Sequence, residues 1–204
     1  MLAAARQRGF TLIELLVGIT IAAILVAVGV PALGTWLQNS KIDNTAQEVF
    51  GGLQAARAEA IRRNVRAEFV LTGTATNTAD LANTMTPALN GANWIVRAAS
   101  DVAGAPFELV DAKSGNEGAN SGTATRATVI TATGPPGFDG TVAFDGFGST
   151  ADTPTGYQFD ITPSVGTCFA SSGDIRCKRV VVTGGGRISA CDPAVTAPDS
   201  RACP

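Results

Sequence analysis

Histidine is absent from all 204 residues. That removes the Ser-His-Asp and Cys-His nucleophile arrangements and every His-containing zinc site. Cysteine is absent until residue 168, and the four that follow (Cys168, Cys177, Cys191, Cys203) never stand at C-x-x-C spacing, so neither a redox pair nor a zinc ribbon is indicated. The only triple glycine, Gly184-Gly185-Gly186, has no Lys-Ser/Thr behind it and is no phosphate loop; a turn is the expectation. Net charge is small: 15 basic against 17 acidic residues, or 13 against 17 once Arg6 and Arg8 are set aside. Bulk charge therefore recruits no nucleic acid, and such binding would need a local patch. Asp139, Asp145, Asp152 and Asp160 could supply a carboxylate pair for acid/base work. Without a diagnostic spacing or a cofactor motif they read as acidic turn residues. No enzyme, cofactor or metal is expected.

Charge is scarcest from Gly9 to Val30, where about twenty mostly apolar residues are interrupted by one carboxylate, Glu14. The run is long enough to cross a bilayer as a helix. A lone Glu within it is costly in hydrocarbon and calls for a partner from elsewhere. A secretory signal would have a shorter apolar region followed by an A-x-A cleavage site, and a plain anchor would leave the sequence G-F-T-L-I-E unexplained. At these residues the chain resembles the class III leader of type IV prepilins and of type II secretion pseudopilins. The resemblance implies a leader of residues 1–9 with Arg6 and Arg8 as its basic part, cut by prepilin peptidase between Gly9 and Phe10, and N-methylation of Phe10. It also implies that Glu14 pairs with the terminal amine of a neighbouring subunit, a charge pair that gains strength in low dielectric and removes an unpaired buried charge.

Residues 10–32 are then the membrane or filament-core half of a long helix, and residues 33–204 an extracytoplasmic pilin domain. Pro31 lies where this family carries a kink-forming proline; its ring removes one backbone hydrogen bond, and Gly29 and Gly34 weaken the helix around it. Farther on, Ile42, Ala46, Val49, Leu53, Ala56 and Ala60 recur at four-three spacing on one face, with Lys41, Asp43, Gln47, Gln54, Arg57, Arg62 and Arg63 mostly off it. This predicts an amphipathic helix packed on a sheet and stopped at Asn64, a residue that tolerates the left-handed conformation. Gly51 and Gly52 each cost about 1 kcal/mol relative to Ala; either they admit close approach of the sheet or the helix is weak there. Ala55 to Asn64 is similar to the helix end of the FimT, FimU and GspH branch of the pilins.

Beyond Asn64 the pattern is strands and turns. Val65–Thr72 alternates, with Val65, Ala67, Phe69 and Leu71 on one face and Arg66, Glu68 and Thr72 on the other, the pattern of a half-buried strand. Further strands are expected at 93–98, 106–110, 126–133, 141–145, 156–162, 176–183 and 187–190, separated by loops at 73–93, 113–125 and 146–155. Phe144-Asp145-Gly146-Phe147-Gly148 is similar to a strand-turn segment of the same branch. The fold class is α+β: a long N-terminal helix on an antiparallel sheet, with a disulfide-bonded C-terminal region.

On the extracytoplasmic side an even number of cysteines reads as disulfides. Three pairings exist. The turn Ser171-Ser172-Gly173-Asp174 favours Cys168 with Cys177, which leaves Cys191 and Cys203 to pin the Pro-rich tail. Basic residues gather nearby at Arg176, Lys178, Arg179 and Arg187. Some DNA-binding pilins of the FimT kind carry Gly-Arg-x-Arg near the C-terminus; here Gly186-Arg187-Ile188-Ser189 keeps the first arginine and replaces the second with serine. The function expected is a structural minor pilin of a type IV pilus, in its initiating or tip complex. DNA uptake through Lys178, Arg179 and Arg187, or a type II secretion pseudopilin, is the alternative. Partners are other pilin subunits, prepilin peptidase and the inner membrane, and the location is the inner membrane and then a surface filament of a Gram-negative bacterium.

Overall fold

In the computed structural model the residues described are 11–73, 80–102, 104–114, 128–151 and 156–204, with the side chains of 28–32 also outside the description. The chain separates into two compact units, Met1–Leu37 and Gln38–Pro204. Helix α1, Leu12–Arg63, carries residues of both. In the first unit its apolar side chains, Leu12 to Val26, stand exposed. Among the described residues no helix is long and apolar enough to cross a membrane. The assigned helix runs through Pro31 rather than ending before it.

In the second unit α1 is a supporting column. The six residues predicted as its apolar face, Ile42, Ala46, Val49, Leu53, Ala56 and Ala60, are all buried in one core cluster. The helix ends at Arg63. Asn64 follows with φ 53°, its N–H donating to Ile61 O at 3.3 Å and that of Val65 to Ala60 O at 3.2 Å. These two bonds satisfy the last carbonyls in the Schellman manner.

Two antiparallel sheets pack against that face, where one was expected. The first is ordered β4-β3-β1-β6 and the second β2-β5-β7-β8-β9. The strands are β1 Ala67–Thr72, β2 Asn90–Gly91, β3 Asn93–Ala98, β4 Glu108–Lys113, β5 Thr128–Thr133, β6 Thr141–Phe144, β7 Tyr157–Pro163, β8 Lys178–Val182 and β9 Ile188–Cys191. Phe69 of β1 and Phe159 of β7 meet edge to face at 5.4 Å, and Phe69 also lies 5.4 Å from Trp94 of β3. Such aromatic pairs contribute beyond their buried area, and here they join the two sheets under the helix. Gly52 faces this point: a Cβ on it would meet Trp94 ring carbons at 2.8 and 2.9 Å and Phe69 Cε2 at 3.0 Å. Gly51 faces open space. Of the two glycines, the second is the one that admits the sheet.

Strand β1 departs from its expected half-burial, because all six residues are buried. Its second face is covered by a short helix α2, Leu81–Thr84, and a small cluster of Val70, Met85 and Ile95 backed by Leu81 and Ala112. Both α2 and β2 fall inside the segment expected to be a plain loop from 73 to 93. The expected loop at 113–125 lies almost wholly outside the described residues.

Candidate functional site

Glu14 and its neighbours head the first unit. Thr11 donates its backbone N–H and its hydroxyl to Glu14 Oε2, each at 2.9 Å, and Glu14 N–H returns a bond to Thr11 Oγ1 at 3.3 Å. With Leu12 the first helical residue, Thr11 and Glu14 form a capping box. The box is written in the sequence as T-L-I-E, and reading the carboxylate only as an intersubunit partner overlooks it. Gly9 and Phe10 lie outside the described residues.

The basic residues of the C-terminal region do not form one patch. Lys178 lies on the helix-facing side of β8, with Nζ 3.6 Å from Asp43 Oδ1 and 3.8 Å from Asp192 Oδ2. Arg179 lies on the opposite face and grips Asp160 of the neighbouring strand, Nε to Oδ1 at 2.6 Å and Nη2 to Oδ2 at 3.2 Å. Direct cross-strand partners of opposite charge support the sheet. Arg187 sits across the β8–β9 turn. It lines a shallow cavity of about 440 Å³ with Gln54, Arg57, Ala58, Ile61 and Ile188. Asp43 and Arg57, which mark the neighbourhoods of Lys178 and Arg187, stand about 21 Å apart along α1 at 1.5 Å per residue.

The carboxylates weighed as an acid/base pair hold turns and strands. Asp139 accepts the Thr141 N–H at 2.9 Å, and Asp145 accepts those of Phe147 and Ser149 at 2.9 and 3.0 Å. Asp152 lies outside the described residues. Arg57 Nε donates to Gly148 O at 3.0 Å, fixing the Asp145–Ser149 turn against α1. At Gly148 φ is +77°, a conformation glycine enters without strain. Among the described residues no group of three or more His, Cys, Asp or Glu side chains could hold a metal ion.

Disulfides join Cys168 to Cys177 and Cys191 to Cys203, with Cα separations of 5.5 and 5.0 Å. The second ties down the tail, which also pairs with itself through Asp192 N–H and Arg201 O at 2.8 Å.

Two ion clusters were not legible in the pattern. Glu68 is only 4% exposed and accepts from Arg66 Nε at 2.8 Å and Arg97 Nε at 2.7 Å. Arg97 also donates to Ala82 O at 2.7 Å and lies 4.4 Å from the centre of the Phe107 ring. At the end of α1, Glu59 takes Arg62 Nε at 2.8 Å and Arg63 Nε at 2.5 Å, while Arg63 reaches Glu108 with Nη1 at 2.5 Å. The Arg62 hydrogen bonds, with Arg63 beside them, outweigh partial burial and pull the Glu59 carboxyl from 4.5 to about 2.

Against this geometry two family models match. The prokaryotic N-terminal methylation motif covers residues 4–30, and the type II transport protein GspH covers residues 45–186, well over half of the chain. The chain belongs to the GspH family. This is a family of structural pilin-like and pseudopilin subunits, and the helix-on-sheet architecture with its C-terminal disulfides is a pilin-like fold. No curated protein matches the chain. Two crystal forms of the Pseudomonas aeruginosa type IV minor pilin FimU align with it. One is 18% identical with a TM-score of 0.48, over 81% of this chain and 98% of FimU. The other is 16% identical with a TM-score of 0.44, over 78% and 98%.

Proposed function

We propose that this GspH-family chain is a minor pilin of a type IV pilus. It would be matured by prepilin peptidase between Gly9 and Phe10, held in the inner membrane by residues 10–32, and drawn into the filament or its initiating tip complex with other pilin subunits. The observation that carries the reading is the methylation motif over residues 4–30, continuous with a helix opened by the Thr11–Glu14 box. In a mature chain Phe10 would be the terminal residue, adjoining that box. A capped helix start presents a carboxylate at the head of an apolar column. There a neighbour's ammonium would complete the charge in a medium where pairing is strong.

A second reading, a pseudopilin of type II secretion, is favoured by the GspH match itself. It shares maturation, anchoring and assembly and differs in the machine served. DNA capture is the weaker alternative. Lys178 and Arg179 are already engaged with carboxylates, and phosphate binding needs cations gathered on one face.

The test is the intact mass of the protein from cells that contain prepilin peptidase. The expected product lacks residues 1–9 and carries one methyl group on Phe10. A chain still beginning at Met1, or cut beyond Val30, would overturn the reading. Deletion of the gene then separates the two machines: loss of surface pili with secretion intact marks the pilus, and the reverse marks secretion.

A further inference from the structure

From Ile161 through Gly173 the sequence has no charged side chain. Most of this stretch belongs to the small ring closed by Cys168 and Cys177 and to the segment leading into it. Within it Phe169 is 63% exposed and Val165 60% exposed. Internal bonds close the ring: Phe169 N–H donates to Ile175 O at 2.7 Å, Ser171 N–H to Cys168 O at 2.8 Å and Gly173 N–H to Cys168 O at 3.0 Å. Phe169 is thus exposed on a closed backbone, and Val165 is exposed on the segment leading into it. The ring is also moored. Arg176 N–H donates to Asn39 Oδ1 at 2.8 Å, and Asn39 is the second residue of the unit Gln38–Pro204. The ring therefore lies at the end of that unit where the chain enters it, nine residues of sequence after the apolar run closes at Val30. Phe147, 88% exposed, belongs to the opposite end, on the turn fixed by Arg57 and next to Asn64.

We propose that the Cys168–Cys177 ring and the segment leading into it form a membrane-contact loop, with Phe169 and Val165 seated at the headgroup boundary of the bilayer that anchors the chain. The inference rests on the anchored reading above. Aromatic and aliphatic side chains gain by leaving water at this boundary, and phenyl-sized rings suit it. Backbone approaches lipid where its own hydrogen bonds are made, and around Phe169 the ring makes several of them internally. The stretch from Ile161 through Gly173 has no ion to desolvate; of the exposed Asp174 and Arg176 that follow it in the ring, the arginine matches lipid phosphate and the carboxylate must stay on the water side.

The experiment uses the full chain in vesicles of phosphatidylethanolamine and phosphatidylglycerol, with plain or brominated acyl chains. A Trp36→Phe background leaves the buried Trp94 as a constant signal, and tryptophan is added by Phe169→Trp or, as reference, by Phe147→Trp. The expected result is that the protein floats with the vesicles, and that bromination quenches most of the emission added at 169 and little of that added at 147. Flotation with position 169 no more quenched than 147 overturns the loop contact and leaves the anchor intact. Failure to float overturns the anchor and this inference with it. Emission from position 169 that responds to protein concentration and not to bromination gives the ring to a second protein copy and likewise overturns the lipid assignment.

Discussion

Glu59 shows how much a single side chain can depend on its two arginines. Its carboxyl is held at about 2 in the folded chain against an ordinary 4.5. A carboxyl lowered by folding stabilises above its unfolded value, and that contribution drains away as pH falls from about 4.5 toward 2. Arg62 is 65% exposed, so solvent screening leaves the cluster about 1 kcal/mol rather than the full value of the shift. Glu59→Gln should therefore lower stability at pH 7 by about 1 kcal/mol and flatten the acid side of the stability curve between pH 4.5 and 2, the window set by the two values. Denaturant melts at pH 7 and across that range check both. Glu68 is the contrasting case, a carboxylate 4% exposed between two guanidiniums. Alternation along Val65–Thr72 placed it on a solvent face, because alternation reports which side chains share a face and not what covers that face.

At the scale of the element, α1 carries a pair of neighbouring glycines with opposite meanings. Gly51→Ala adds a methyl group to open space and should stabilise by about 1 kcal/mol through helix propensity alone. Gly52→Ala drives a methyl group into Trp94 and Phe69 and should destabilise by about 1–3 kcal/mol despite the same propensity gain. Thermal unfolding of the two variants side by side reads the difference in sign, and equal shifts would mean that the sheet does not approach the helix at Gly52. The apolar stripe from Ile42 to Ala60 was legible because a helix repeats every 3.6 residues and its buried face is set by spacing. The stop at Asn64 was legible for a similarly local reason. The strands were legible as segments, to within two or three residues at either end. Their grouping was not, since β1 pairs with β3 and with β6, and Ala67 opposite Phe144 is a partnership no local pattern encodes. Helix α2 and the two-residue β2 escaped because neither is long enough to show a period.

For the whole second unit, the cysteine pairing is the most direct test of the architecture. Peptide mapping without reduction should recover Cys168 linked to Cys177 and Cys191 linked to Cys203; a Cys177–Cys191 peptide would rule out this pairing. Replacing Cys191 and Cys203 together by serine should cost about 2–4 kcal/mol, the usual worth of a bridge of this loop length, and open the tail beyond Asp192 to proteases. The two sheets bear on a different matter, the order in which the unit can form. Strand β5 enters the second sheet, β6 crosses to the first, and β7 returns to the second. The first sheet is completed by β6 at Phe144, while the second still awaits β7, β8 and β9. A nascent chain that has emerged only as far as Thr133 holds β1 with one edge unpaired, waiting for a strand still unmade. Distant pairings are slow to close, and an open edge invites foreign strands. β1 therefore keeps an open edge from its own synthesis until Phe144 is made, and a chaperone that covers that edge over this interval would guard the chain against aggregation.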